Sequence, residues 1–175
     1  MKVLIDTNVL ISAALFPHST PAQAFWKANT YPFKAVICEQ NLDEMKRIFT
    51  RKFPDKLPAL ESFIYNSLLS IEIVDTPERP VKEEKLMRDM MDRPILRSAV
   101  VSDVDIILTG DKDFLESGID HPRMMTPSDF ILCSFVIPQR SERKGIIMMV
   151  PLGSECRESK MRYPAPWGGK GGNAS

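Results

Sequence analysis

Short apolar segments that alternate with helical segments are the feature that most constrains the fold of this chain. Four segments have the length and composition of strands: Lys2–Ile5, Lys34–Cys38, Ile71–Val74 and Val104–Leu108. Longer segments with helical patterns separate them. Parallel strands need crossover connections of this length, and the helices in those connections cover both faces of the sheet. We therefore predict an α/β fold with a mostly parallel central sheet.

The remaining predicted elements fill residues 1–133, which we expect to form one domain. A further brief strand is predicted at Met124–Met125. Helices are predicted at Asn8–Leu15, Pro21–Asn29, Gln40–Lys52, Pro58–Leu69, Glu83–Met91, Pro94–Val101, Asp111–Ser117 and Pro127–Leu132.

The C-terminal part of the chain differs from the rest. Ser134–Ser175 has no convincing periodicity and finishes in a stretch rich in Pro and Gly. Within it, Ile146–Val150 is a candidate edge strand. We expect the other residues of 134–175 to form a flexible tail.

Composition narrows the class of protein. The chain has 175 residues, of which 43% are hydrophobic, enough for one domain with a buried core. It contains no apolar run of membrane-spanning length, and no secretory signal is visible at its N-terminus. The three cysteines, Cys38, Cys133 and Cys156, are far apart, which is typical of reduced thiols in a cytoplasmic protein. Residues 1–133 hold 16 Lys and Arg against 20 Asp and Glu, so no broad basic surface for duplex binding is expected.

Acidic residues follow two of the predicted strands and precede one helix. Asp6 follows the first strand, Asp111 and Asp113 follow Val104–Leu108, and Asp92 stands before the helix that begins near Pro94. Each of these acids, taken alone, could simply cap a helix. Taken together they indicate a cation site, because parallel strands end at one edge of the sheet and carboxylates gathered there repel one another unless a cation neutralises them. Mg²⁺ and Mn²⁺ suit such oxygen-only sites.

The middle helix offers further charged candidates, and periodicity does not choose well among them. Glu39, Asp43 and Glu44 could each add a carboxylate, with a solvated helix face as the alternative. Four basic side chains of the same helix could guide a phosphate backbone, although a solvated face explains them equally well: Lys46, Arg47, Arg51 and Lys52.

Several motifs resemble PIN domains in content and in order. They are the segment from Leu4 to Ser12 with Asp6-Thr7-Asn8, the segment from Glu44 to Phe49, the segment from Asp92 to Ala99, the segment from Asp105 to Leu115 with Thr109-Gly110-Asp111, and the closing Thr126–Phe130. The resemblance covers residues 1 to about 133. Among PIN domains, the chain is most similar to the bacterial and archaeal group described as toxin components of toxin–antitoxin systems, related to VapC.

This resemblance implies a fold, a reaction and a set of residues. The fold would be a three-layer α/β/α sandwich, and the activity a Mg²⁺- or Mn²⁺-dependent hydrolysis of single-stranded RNA by metal-activated water, which would make the protein an endoribonuclease. The implied metal ligands are Asp6, Glu44, Asp92 and Asp111. Asp113 would be an auxiliary acid, while Asn8 and Thr109 would orient the acids or a water. The resemblance thus selects Glu44 over Asp43.

The resemblance also implies partners and a location. RNA would be the substrate, a cognate antitoxin protein would hold the toxin silent, and pairing into a homodimer would be expected. The expected location is the cytoplasm, without membrane association. One departure is Arg97, which stands where a small residue is common in the family. It would alter helix packing or place a cation near the substrate.

Two other functions compete with the ribonuclease. A catalytically silent PIN-type binding module is the first. The second is a phosphatase of the haloacid dehalogenase type, which also begins with a strand and an Asp. That class needs a second Asp two residues later, where this chain has Asn8.

Overall fold

The computed structural model describes residues 1–67, 69–135 and 149–151. The predicted tail, 134–175, therefore lies mostly outside the described residues. Within them, β6 (Cys133–Phe135) pairs antiparallel with β7 (Met149–Pro151) in a small separate sheet. The described part of the predicted strand Ile146–Val150 thus pairs with β6 and does not extend the main sheet.

A five-stranded parallel sheet forms the centre of the molecule. Its strands lie in the order β3-β2-β1-β4-β5, and every pairing is parallel. The chain builds outward from β1 in one direction and then crosses back to place β4 on the other side of β1, so the order reverses between β1 and β4. The strands are β1 (Lys2–Ile5), β2 (Lys34–Cys38), β3 (Glu72–Val74), β4 (Ile106–Leu108) and β5 (Arg123–Met125).

Across the residues that the structure describes, seven α-helices connect or follow these strands, and the bounds of each fall within two residues of the predicted ones. Ser19 caps the second helix by accepting a hydrogen bond from the backbone N–H of Ala22, as its position before Pro21 predicts. The helices are α1 (Thr7–Leu15), α2 (Thr20–Ala28), α3 (Glu39–Lys52), α4 (Leu57–Ser67), α5 (Arg93–Val101), α6 (Lys112–Leu115) and α7 (Pro127–Leu132).

The helix predicted at Glu83–Met91 is wrong. Its place is taken by a short 3₁₀ turn, Lys82–Leu86, followed by an irregular segment. Glu84 accepts from the Val81 N–H at 3.0 Å and so caps the start of this turn, whereas Asp89 accepts from the Met91 N–H at 2.7 Å, a local bond that competes with continuation of the helix. Met87 is buried in the core, and the chain turns around it.

The two faces of the sheet pack into two separate cores, which gives the predicted three-layer α/β/α sandwich. Val3 and Ile5 of β1 point into the layer that contains α1, α2, α3, α4 and α7. Leu4, between them, points to the opposite face, where it packs with Leu96 of α5 and Phe114 of α6. This alternation is the period of a strand buried on both faces. No helix among the described residues has the length and apolar content to cross a membrane.

Candidate functional site

The carboxyl ends of β1 and β4 meet at the point where the strand order reverses. Ile5 pairs with Leu108, and the Asp6 N–H donates to the Leu108 carbonyl oxygen at 3.0 Å. Thr109 follows β4 directly, and its N–H donates to the Met125 carbonyl oxygen at 2.9 Å. The residues that follow the two strands are therefore held side by side by backbone pairing, as the strand-then-acid pattern predicts.

Asp6 is almost completely buried at this edge, with 3% of its surface exposed. It stands at the N-cap position of α1, yet its side chain forms no capping hydrogen bond. One oxygen, Oδ2, accepts a hydrogen bond from the Thr109 hydroxyl at 2.9 Å. The pKa of Asp6 is raised to about 6, chiefly by burial; hydrogen bonds from the Thr109 hydroxyl and the Thr7 backbone lower it in part, and the negative charges of Glu44 and Asp111 add to the rise. The carboxylate is therefore held where its negative charge is disfavoured.

Glu44 reaches the same edge from α3. The Thr7 hydroxyl donates to Glu44 Oε2 at 2.7 Å, and the Arg47 guanidinium lies 3.9 Å from Glu44 Oε1. Glu39 and Asp43, the other two candidates of this helix, are exposed. Among the three acids, only Glu44 hydrogen-bonds to the segment that carries Asp6.

Asp92 occupies the N-cap position of α5 but forms no side-chain capping hydrogen bond, so capping does not account for it. The pKa of Asp92 is raised to about 7, first by burial and then by the negative charges of Asp6, Asp111, Asp89 and Glu44. The four acids named as candidate ligands are therefore close enough to perturb one another. Repulsion of this kind is what a bound cation would relieve.

Asp111 and Asp113, unlike Asp6 and Asp92, form a helix cap and an ion pair respectively. The Thr109 hydroxyl, which donates to Asp6, accepts from the Asp111 N–H at 3.0 Å and so ties the two strand ends together. Asp111 Oδ1 accepts from the Asp113 N–H at 2.8 Å, so Asp111 does cap α6. Asp113 forms an ion pair with Arg88, whose guanidinium also lies 3.6 Å from Glu116.

Two buried polar residues of the site were not predicted from the sequence. Thr7 is 1% exposed and Asn41 is fully buried, and Asn41 Nδ2 donates to Thr7 Oγ1 at 3.0 Å. The signal for Asn41 was available. It lies four residues before Met45 and eight before Phe49, both buried, so a polar side chain stands on the apolar stripe of α3. Thr7 gave no comparable signal, because a Thr at a helix start is common.

The structure does not bring the other candidates into the acid cluster. Asn8 is exposed, and its side chain forms no hydrogen bond among the described residues. Arg97 packs against the protein: its guanidinium binds both Glu84 oxygens, at 2.6 and 2.9 Å, so the helix-packing interpretation of this residue is correct. The basic residues of α3 are all exposed, and of these only Arg47 lies near an acid of the site: Lys46, Arg47, Arg51 and Lys52.

The donor set is chemically suited to a hard divalent cation, because it consists of carboxylate oxygens. In the described part of the chain, no three Asp, Glu, His or Cys side chains converge closely enough to surround a metal ion as they stand. Three of the acids already have one oxygen engaged in the protein: Asp6 Oδ2 accepts from the Thr109 hydroxyl, Glu44 Oε2 from the Thr7 hydroxyl and Asp111 Oδ1 from the Asp113 N–H.

Comparison with known proteins agrees with this architecture. A family model described as "PIN domain" matches residues 2–113. The fold is similar to a chain in the crystal structure of VapBC2 from Rickettsia felis bound to a DNA fragment from the promoter, with a TM-score of 0.54, 15% identity, and coverage of 72% of this chain and 98% of that one. It is also similar to Mycobacterium tuberculosis VapC20, a toxin that cleaves the sarcin–ricin loop, with a TM-score of 0.50, 12% identity, and coverage of 67% and 95%. No curated protein matches the sequence significantly.

Proposed function

The chain belongs to the PIN domain family, and on that premise we propose that it is a divalent-metal-dependent endoribonuclease that cleaves single-stranded RNA. The observation that carries the proposal is the gathering of four carboxylates beyond β1 and β4, where the pKa of Asp6 is raised to about 6 and that of Asp92 to about 7. Folding alone gains nothing from acids that destabilise one another's charged forms. Sites with such perturbed acids are frequently functional.

The proposed ligands of Mg²⁺ or Mn²⁺ are Asp6, Glu44, Asp92 and Asp111. A cation bound by them would neutralise the cluster, polarise a phosphoryl oxygen and activate a water as the nucleophile that cleaves the RNA. Thr109 holds Asp6 and the Asp111 backbone in a fixed relation through one hydroxyl group. Asn8, exposed beside Asp6, is the proposed contact to a water or to the RNA.

Arg88 is a better supported substrate contact than most of the α3 basic residues. Its side chain is 69% exposed, and Asp113, two residues from Asp111, holds it by an ion pair. The auxiliary role that we propose for Asp113 is to hold Arg88 in this ion pair. Arg47, beside Glu44, is the one basic residue of α3 with a comparable position. Lys46, Arg51 and Lys52 are proposed to add only a diffuse attraction for phosphates.

We also propose that the protein is the toxin of a toxin–antitoxin pair. The similarity of fold to VapC20 and to a chain of VapBC2 supports this assignment. The cognate antitoxin would be a separate protein that covers the acid cluster, and a homodimer is the proposed state of the toxin itself. The cytoplasm, where RNA is available and thiols such as Cys38 and Cys133 stay reduced, is the proposed location.

An RNA cleavage assay tests the ribonuclease proposal. Purified wild-type protein, Asp6→Asn and Asp111→Asn are incubated with single-stranded and duplex RNA in Mn²⁺, with Asp43→Asn as a matched control, since Asp43 is exposed on α3. We expect cleavage of the single strand by wild type and control, with 5′-phosphate on the downstream fragment, and none by the two site variants. Equal cleavage in excess EDTA would exclude the metal-dependent reaction. No cleavage together with no Mn²⁺ binding would favour the silent binding module.

A further inference from the structure

A chain of hydrogen bonds runs from the interior of the molecule to Glu44. The Cys38 N–H donates to Asn41 Oδ1 at 2.9 Å, Asn41 Nδ2 donates to Thr7 Oγ1 at 3.0 Å, and the Thr7 hydroxyl donates to Glu44 Oε2 at 2.7 Å. Cys38, Asn41 and Thr7 are each at most 1% exposed. Breaking any of these bonds would leave a buried polar group without a partner, which is unfavourable.

The direction of these bonds follows from the first donor. A backbone N–H can only donate, so the oxygen of the Asn41 amide must face Cys38 and its NH₂ group must face Thr7. Thr7 Oγ1 therefore accepts from Asn41, and its single proton is committed to Glu44 Oε2. The bond at the end of the chain is an O–H donated to a carboxylate, which is short and strong.

We infer that Thr7 and Asn41 are positioning residues that hold Glu44 with Oε2 engaged in the protein and Oε1 left for the metal. This inference rests on the proposed function. Glu44 would then bind the metal through one oxygen, and Asn41 would set its orientation through Thr7. Arg47, whose side chain is exposed, lies 3.9 Å from Oε1. Outer-shell partners of this kind orient metal ligands and contribute to affinity.

This series of hydrogen bonds also connects two elements that carry different acids of the site. Thr7 follows Asp6 at the start of α1, whereas Asn41 and Glu44 belong to α3 and lie three residues apart. A shift of α3 relative to β1 would break the Thr7–Glu44 bond. The pair Thr7 and Asn41 thus fixes the distance between the acid at the end of β1 and the acid on α3.

Mn²⁺ binding measured by titration calorimetry, without RNA, tests this role. Thr7→Val keeps the shape and removes the hydroxyl, while Thr7→Ser keeps the hydroxyl and removes the methyl group. Thr50→Val is the matched control, because Thr50 donates to the Lys46 carbonyl oxygen on the exposed side of the same α3. We expect Mn²⁺ affinity to fall by roughly 10- to 100-fold in Thr7→Val, with Thr7→Ser and Thr50→Val close to wild type. Should Thr7→Val fail to fold, Thr7→Ala compared with Thr7→Ser isolates the hydroxyl in the same way.

The outcomes separate the inference from the function on which it rests. Wild-type affinity in Thr7→Val, or equal losses in Thr7→Ser and Thr7→Val, would overturn the positioning role and leave the metal site standing. Absence of Mn²⁺ binding in the wild-type protein would overturn both. A loss confined to the variants without the hydroxyl supports the inference.

Discussion

Replacing Asp6 with Asn should stabilise the metal-free protein at alkaline pH. The carboxyl group of Asp6 is 3% exposed, and its pKa is raised from 3.8 to about 6. The Asn side chain has nearly the same shape, and its amide oxygen can still accept the hydrogen bond from Thr109. The substitution therefore removes a charge whose burial is unfavourable and keeps the contact that holds the two strand ends together.

The size and sign of the effect follow from the shift in pKa. A folded state that raises the pKa of an acid binds the proton more tightly than the unfolded chain does, so this contribution to stability is full below the unfolded pKa, 3.8, and is lost as pH rises through about 6. A pKa raised from 3.8 to about 6 corresponds to about 3 kcal/mol of free energy of unfolding. The free energy of unfolding of the wild-type protein should therefore fall by about 3 kcal/mol, relative to that of Asp6→Asn, as the pH rises from about 4 to about 8. Loss of the Asp6 charge also relieves Asp92, which adds to the difference in the same direction.

Urea denaturation in EDTA across this pH range measures the difference. The Asp6→Asn curve is subtracted from that of wild type, so that groups titrating equally in both proteins cancel. Asp43→Asn, an exposed change on α3, should follow wild type at every pH. A wild-type to Asp6→Asn difference that stays constant with pH would refute the claim that Asp6 is buried in an unfavourable electrostatic environment.

Three further predictions concern other residues. Arg97→Ala should lower the free energy of unfolding by roughly 3 kcal/mol in urea, because it leaves the buried Glu84 without its bidentate partner; a change below about 1 kcal/mol would contradict a structural role. Glu44→Gln should reduce Mn²⁺-dependent RNA cleavage by at least about 100-fold in initial-rate measurements, whereas Glu39→Gln, on the exposed side of α3, should be unaffected; equal losses would reject Glu44 as a ligand. Arg88→Ala should leave Mn²⁺ affinity unchanged but weaken RNA binding in filter assays. The salt dependence of RNA binding should fall by an amount that corresponds to about one phosphate contact. An unchanged salt dependence would show that Arg88 does not contact the RNA backbone.

The parallel sheet was predictable because its strands are buried on both faces and therefore read as apolar runs in the sequence. The strand order was not predicted, because apolar strands do not specify which of them pair; the observed reversal between β1 and β4 brings the ends of these strands, and so Asp6 and Asp111, to one edge. The segment from Lys82 to Met91 was not predictable. Its helical pattern is overridden by a local hydrogen bond from the Met91 N–H to Asp89, together with the burial of Met87 and the pairing of Glu84 with Arg97 of α5.

The roles of the acids could be predicted only in part from the sequence. Capping and ligation use the same residue types at the same positions, so sequence alone could not separate them at Asp6, Asp92 and Asp111. The structure shows which acids cap a helix: the Asp111 side chain caps α6, whereas the side chains of Asp6 and Asp92 form no capping hydrogen bond. The Thr7 hydroxyl could not be assigned in advance, because its role depends on which face of α3 meets β1.

Titration of Mn²⁺ into the wild-type protein and Asp92→Asn tests most directly whether the four acids form one metal site. Asp92 decides the question because it stands at the N-cap position of α5 without a capping hydrogen bond, and because the charges of Asp6, Asp111 and Glu44 add to the effect of burial in raising its pKa to about 7. We predict binding by the wild-type protein and by Asp43→Asn, and an affinity lower by at least about 10-fold in Asp92→Asn. Equal Mn²⁺ affinity in wild type and Asp92→Asn would contradict a shared site.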